Sequence, residues 1–241
     1  MCTVTIIPTS NSNFVLTSNR DEAPNRTSLT PEFYNVEGVK TLFPKDEQSG
    51  GTWVGVSQKH RVVCVLNGAF KPHLRNPQYR KSRGLVAKDL MIADDIESTI
   101  ESYDFTDIEP FTIVIADWNT DLAFFELIWD GNQKHFTNLP LAPKIWSSST
   151  LYNDVMKAER HMWFDNFIKT HALTADNLLE FHNEAGKNKP NYGVVMDRGF
   201  VKTTSITQIE KQGSTLHMAY ENIHDKTVAN QIFNLPQTVN E

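Results

Sequence analysis

An α+β fold, a four-layer αββα sandwich of two antiparallel sheets, is the architecture this sequence predicts. Three observations lead there. The predicted elements come in runs of like kind (strands, helices, strands, a helix pair, strands), which favours antiparallel sheets with segregated helices over βαβ alternation. Several segments alternate apolar and polar residues at the strand period of two, beginning with Cys2–Ile7. The 241 residues contain no linker, low-complexity tract or internal repeat, so a single domain over residues 1–241 is expected.

Cys2–Ile7 reads as a strand, Thr9–Asn13 as a polar turn and Phe14–Thr17 as the returning strand. Folding that hairpin about its centre sets Cys2 opposite roughly position 19. Residues 23–48, rich in Pro and polar side chains, read as a loop. Gly51–Val56 and Arg61–Leu66 read as antiparallel strands around a Ser57–His60 turn, and residues 68–82 as irregular and basic. A helix follows with Val86, Ala87, Leu90 and Met91 on one face. Asp94 or Asp95 can cap a second, short helix whose inner residues are Ile96, Ile100 and Tyr103.

Phe111–Ala116 and Leu122–Trp129 read as strands around an Asp117–Asp121 turn, and Ile145-Trp146 ends another. A helix from about Asp154 is expected to turn Val155, Ala158, Met162, Trp163 and Phe167 inward. Thr174 then caps a helix over Ala175–Glu184, and strands near Val201–Ile209 and Thr215–Asn222 close the chain.

Composition narrows the function. Fourteen Phe and five Trp supply a core, and a net charge of -6 without charge blocks lacks the basic footprint of a nucleic-acid binder. No apolar run reaches transmembrane length, and the start is too polar for a signal peptide, so a soluble cytoplasmic protein is the expectation. Two cysteines make no disulfide framework; Cys64, inside Arg61–Leu66, reads as a buried strand thiol. The eight histidines form no metal signature, and His161 reads as a packing residue of its helix. Gly50-Gly51 precede a strand and open no helix, so they are not a phosphate cradle. No metal and no cofactor are expected.

Chemistry gathers at the amino terminus. Removing Met1 would expose a thiol and an α-amine on Cys2, a nucleophile that carries its own base. That amine titrates near neutrality, at about 7.7–8.0, and can take the thiol proton. Across the hairpin lies Asn19-Arg20-Asp21-Glu22. Arg20 is expected to lower the thiol pKa and Asp21 to hold the ammonium. Read alone, the same run is also a charged strand end feeding a loop. Asn67, just past an apolar strand, is a candidate oxyanion donor, and its Asn-Gly context equally suits a turn.

These pieces together resemble the NRDE family, also called the transport and Golgi organisation protein 2 family. The matches are Met1-Cys2-Thr3, Asn19-Arg20-Asp21-Glu22 with Arg26, Gly50–Val56, Asn67 and Ser82-Arg83-Gly84-Leu85-Val86, in that order. The resemblance is clear over about residues 1–92 and weaker to about 209. It implies an N-terminal-nucleophile (Ntn) hydrolase-like sandwich, similar to the choloylglycine-type cysteine amidases. Cys2, Arg20 and Asp21 match the nucleophile and its helpers in that arrangement, and Asn67 the oxyanion or binding Asn. Asn19, Ser148 and Lys202 are the candidate substrate contacts. Ser148 stands where many relatives have Asn, and Lys202 where relatives place Arg, so a point charge replaces a bidentate fork. Both changes argue against a bile-salt- or penicillin-type active site.

Two functions follow from the resemblance. One is acyl transfer or hydrolysis on a linear amide or thioester. The other is non-enzymatic binding of a haem or lipid-type ligand, in trafficking or homeostasis. Aromatic and basic residues in the 23–48 and 68–82 segments, among them Phe33, Tyr34, Phe43, Phe70 and Tyr79, suit a small amphipathic ligand, specifically an anion.

Overall fold

The computed structural model describes residues 2–235. Its elements are β1 (Cys2–Pro8), β2 (Phe14–Glu22), β3 (Ser28–Val36), β4 (Val39–Asp46), β5 (Val54–Ser57), β6 (Arg61–Asn67), α1 (Arg83–Ile92) and α2 (Ile96–Ser102). Then come β7 (Phe111–Asp117), β8 (Ala123–Trp129), β9 (Lys134–Leu139), β10 (Lys144–Ser147), α3 (Asp154–Thr170), α4 (Ala175–Glu184), β11 (Lys202–Gln212), β12 (Thr215–Asn222) and β13 (Val228–Asn234). One sheet has six strands in the order β10-β1-β2-β11-β12-β13, the other seven in the order β3-β4-β5-β6-β7-β8-β9. Every pairing within them is antiparallel.

The main core lies between the sheets. Val4, Ile6, Phe14 and Leu16 of the first meet Val54, Val56, Val62 and Leu66 of the second, with Cys64 buried among them as expected. Each such fully buried side chain contributes about 1.5–3 kcal/mol. The opposite face of β1 and β2 presents Ile7 and Val15 to Phe164 and Phe167 of α3 and to Leu178 and Phe181 of α4. Helix α1 covers the outside of the seven-stranded sheet with Val86, Ala87, Leu90 and Met91. Its first turn sits tight against the chain before β5: a Cβ on Gly51 would lie 2.9 Å from the Gly84 carbonyl carbon. The caps read from sequence are in place, with Asp95 accepting from the Ser98 amide and Thr174 from the Asn177 amide.

Four expectations need correcting. Residues 23–48 are not a loop: they fold into the β3–β4 hairpin, turning on Glu37 (φ 50°) and Gly38 (φ 85°). A bulge between Leu29 and Glu32, spanning Pro31, breaks the alternation that would have revealed β3. Strands β9 and β13 carry no clear alternation, because both lie at sheet edges, where β9 buries none of its residues fully and β13 only Phe233. In α3 the inner residues are Arg160, Phe164 and Phe167, while Val155 and Met162 are exposed. A hydrophobic stripe drawn from sequence cannot place a buried arginine. His161, read as packing, is exposed for the same rotation of the helix.

The fourth correction bears on function. The β1–β2 register pairs Cys2 with Arg20 and Thr3 with Asn19, one residue from the expected alignment. In a strand one residue means the other face. Arg20 therefore shares the inter-sheet side with Cys2, and Asn19 and Asp21 face the helices.

Candidate functional site

At one end of the sandwich the sheets open into a cavity of about 270 Å³. Cys2, Arg20 and Glu22 form its floor, Asp46, Trp53 and Asn67 one wall, and Arg75, Tyr79, Lys81, Arg83 and Glu109 the rim. Of the aromatics expected there, Tyr79 lines it. Phe43 is in the core, Tyr34 stacks on it, and Phe70 packs against His135.

Arg20 is fully engaged. Its Nη2 donates to Asp46 Oδ2 at 2.6 Å, its Nη1 donates to the Arg26 carbonyl and Thr204 Oγ1, and its guanidinium lies 4.7 Å from the centre of the Trp53 ring. Asp46 also accepts from Arg26 Nε at 2.9 Å and from the Ser49 amide and hydroxyl. Burial alone would raise the Asp46 carboxyl, but the bonds from Arg26 and Ser49 outweigh it and hold it at about 2. Asp46 is not among the residues expected at the site, although an Asp three residues before a Ser, ahead of Gly50-Gly51, is a turn signature. Arg75 and Glu109 left no such signal, because only folding brings them beside Arg83, which stands in the Ser82–Val86 motif. Glu109 accepts from Arg83 at 3.1 Å and from His73 at 3.3 Å, with Arg75 at 3.9 Å.

Cys2 is almost completely buried (1% exposed). Burial pushes its thiol above the ordinary value by more than Ser18 and Arg20 pull it down. The expected lowering by Arg20 has the right sign and is outweighed. The resting thiol is therefore protonated at neutral pH. Asn67, at the end of β6, lines the cavity. Its carbonyl accepts from Ser148 Oγ at 2.6 Å, and the Ser148 amide donates to the Cys2 carbonyl at 3.1 Å. Ser148 therefore ties the two sheets together at the site.

Asp21 lies behind the sheet, fully buried. Its Oδ2 accepts from the Tyr152 hydroxyl at 2.6 Å and its Oδ1 from Thr203 Oγ1 at 2.8 Å. Burial pushes its carboxyl up, only partly offset by Arg160 and the two hydroxyls. Asn19 is committed on the same face: its amide donates to the carbonyls of His182 and Val194, and its oxygen pairs with His182 Nδ1.

Three expected substrate contacts are thus placed elsewhere. Asn19 is on the far face of β2, Ser148 spends its hydroxyl on Asn67, and Lys202, paired across from Glu22 at the start of β11, does not line the cavity. Among the described residues no cluster has the side chains to hold a metal ion, and no helix is long and apolar enough to cross a membrane.

The sequence profile of the Transport and Golgi organisation 2 family matches residues 1–223. The chain belongs to that family. Solved structures place its fold beside Ntn-hydrolase sandwiches. A mutant conjugated bile acid hydrolase from Clostridium perfringens superposes with a TM-score of 0.58 at 11% identity, over 100% of this chain and 99% of that one. The N-acylethanolamine-hydrolyzing acid amidase ortholog of Caenorhabditis elegans gives 0.57 at 10%, over 86% and 92%. Penicillin V acylase from Agrobacterium tumefaciens gives 0.50 at 11%, over 95% and 84%. At such identities the likeness is one of fold. Curated protein sequences return no match.

Proposed function

We propose that this family member is an N-terminal-cysteine acyl hydrolase or acyltransferase acting on a linear amide or thioester. The carrying observation is that Cys2 lines a polar cavity with Asn67, while the register sets Asp21 one position beyond the Cys2–Arg20 pair. Asp21 therefore stands on the side of that pair from which the chain enters Cys2. Once Met1 is removed, the free α-amine takes the Sγ proton and Sγ attacks the substrate carbonyl. The Asn67 side-chain amide donates to the oxyanion. Collapse expels the amine or thiol, which leaves with the proton, and water or an acceptor amine then cleaves the thioacyl-enzyme. Arg20, locked by Asp46 and Trp53, shapes the floor and does not swing.

The substrate is an amphipathic small molecule with an anionic group. Five basic residues (Arg20, Arg26, Arg75, Lys81, Arg83) line the cavity against three acids (Glu22, Asp46, Glu109), a surplus of two in a chain of net charge -6. Asp89, outside, pairs with Lys81, so Arg75 is the least committed cation at the rim. Such a field draws anions.

A second reading, ligand binding without turnover in a cytoplasmic trafficking or homeostatic role, is favoured by one observation: the Cys2 thiol is buried and held protonated. Haem or a lipid would then occupy the same cavity. Intact mass before and after brief iodoacetamide treatment separates the two. Loss of one methionine with a single fast alkylation, absent in Cys2→Ala, supports catalysis and justifies an amide and thioester screen. Retained Met1 with a sluggish thiol overturns it, and haem titration then tests the binding reading.

A further inference from the structure

Asp21 has an unusual setting for a buried carboxylate: among the described residues it makes no direct ion pair. Its donors are two hydroxyls. One of them, Tyr152, is itself clamped. The Arg160 guanidinium lies 3.6 Å from the centre of the Tyr152 ring and that of Arg198 lies 5.6 Å from it. Arg160 cannot turn away, because it donates to the carbonyls of Tyr192 and Gly193 and to the hydroxyls of Thr3 and Ser147. Arg198 is held by the carbonyls of Leu151 and Asn191. The phenol is thus a held donor, and among the described residues its acceptor is Asp21 Oδ2.

We propose that Tyr152, held by Arg160 and Arg198, is a positioning residue that keeps the Asp21 carboxylate ionised and aimed at the α-amine of Cys2. This deepens the acyl-transfer reading and rests on it. Thiol-to-amine proton transfer leaves a thiolate and an ammonium, and a buried ammonium needs a fixed anion beside it. Tyr152 Oη and Thr203 Oγ1 each stabilise the ionised form of Asp21 and orient its lone pairs. The titratable and charged groups around Asp21 are Tyr152, Arg160 on α3 and Cys2 on the neighbouring strand, with Arg198 beyond the Tyr152 ring; Thr203, its partner on β11, is neutral. Burial keeps the Tyr152 phenol protonated well beyond the physiological range, so it donates at every working pH. Nothing in the sequence marks Tyr152, which stands 131 residues from Asp21.

The test is the pH dependence of iodoacetamide alkylation of Cys2, followed by intact mass on protein shown to lack Met1. Tyr152→Phe keeps the ring and its arginine stack and removes the one hydrogen bond. The expected result is an acid limb displaced upward by about one pH unit, roughly tenfold slower alkylation near the foot of that limb, and an unchanged plateau at high pH. Thr203→Val should move the limb the same way, and Asp21→Asn should abolish it. A Tyr152→Phe profile that superimposes on the wild type overturns the positioning role and leaves the nucleophile reading standing. A wild type that does not alkylate at Cys2 at any pH overturns both.

Discussion

Strand β2 presents two unlike polar faces only one residue apart. Toward the cavity, Arg20 and Glu22 are charged and paired: Arg20 with Asp46, Glu22 with Arg26. Toward the helices, Asn19 and Asp21 meet His182, Tyr152 and Thr203, and titratable groups there are pushed toward their neutral forms. Asp21 is driven up, and His182 is driven down to about 3, by burial first and then by Arg160. Asp46, across the cavity, is held at about 2. An ion pair at a polar opening keeps its charges, while a face sealed by α3 and α4 favours hydroxyl and imidazole hydrogen bonds. The lesson is that burial decides ionisation unless direct charged hydrogen bonds outweigh it: Asp46 receives them from Arg20 and Arg26, whereas Arg160 acts on Asp21 without a direct bond.

The largest expected effect tests the sealed face. His182 is neutral in the fold, where its Nε2 lies 2.7 Å from Thr5 Oγ1. Its folded pKa lies below the unfolded value of about 6.5, so the unfolded chain binds the extra proton. Stability is fully present above that value and falls as pH drops from about 6.5 toward 3, by up to about 4 kcal/mol. Urea midpoints measured across this window should decline in the wild type and stay much flatter in His182→Gln. A flat wild-type profile would erase the contrast between the faces.

Next comes the cavity face. Asp46→Ala leaves Arg20 buried without its partner, and a loss of about 3 kcal/mol is expected by denaturant unfolding. Its own titration is smaller. Asp46 has a depressed folded pKa, so its contribution is present above about 4 and lost as pH falls toward 2. After allowance for solvent screening that amounts to about 1 kcal/mol.

Asp21→Asn sharpens the comparison by its opposite sign. A raised folded pKa means that ionised Asp21 costs stability near neutrality, with the favourable state at low pH. The amide variant is expected to match or exceed the wild type in urea midpoint at pH 7 while losing Cys2 reactivity. A clear destabilisation would assign Asp21 a structural role. The smallest effect is at Ser148: Ser148→Ala removes the bond to the Asn67 carbonyl and should cost about 1 kcal/mol, read by the same unfolding curves.

How much of this was legible follows from the range of each interaction. The hairpin, the α1 face, the caps at Asp95 and Thr174 and the buried thiol of Cys64 depend on neighbours within a few residues, and the sequence carries them openly. Strand β3 was hidden by a bulge, and β9 and β13 by their exposed edges, where alternation has no core to report. The α3 face was misread because Arg160 is buried to serve carbonyls that belong to residues over thirty positions later.

By itself, then, the sequence determined the αββα class, the family motifs and a cysteine across a hairpin from Arg20 and Asp21. Only the tertiary structure decided which face each of them occupies. It set Arg20 onto Asp46 and Trp53, Asp21 onto Tyr152, and Asn19 onto His182, away from the cavity. The reason is physical: a strand's faces alternate with every residue, so a register error too small to alter the predicted fold reassigns every functional side chain.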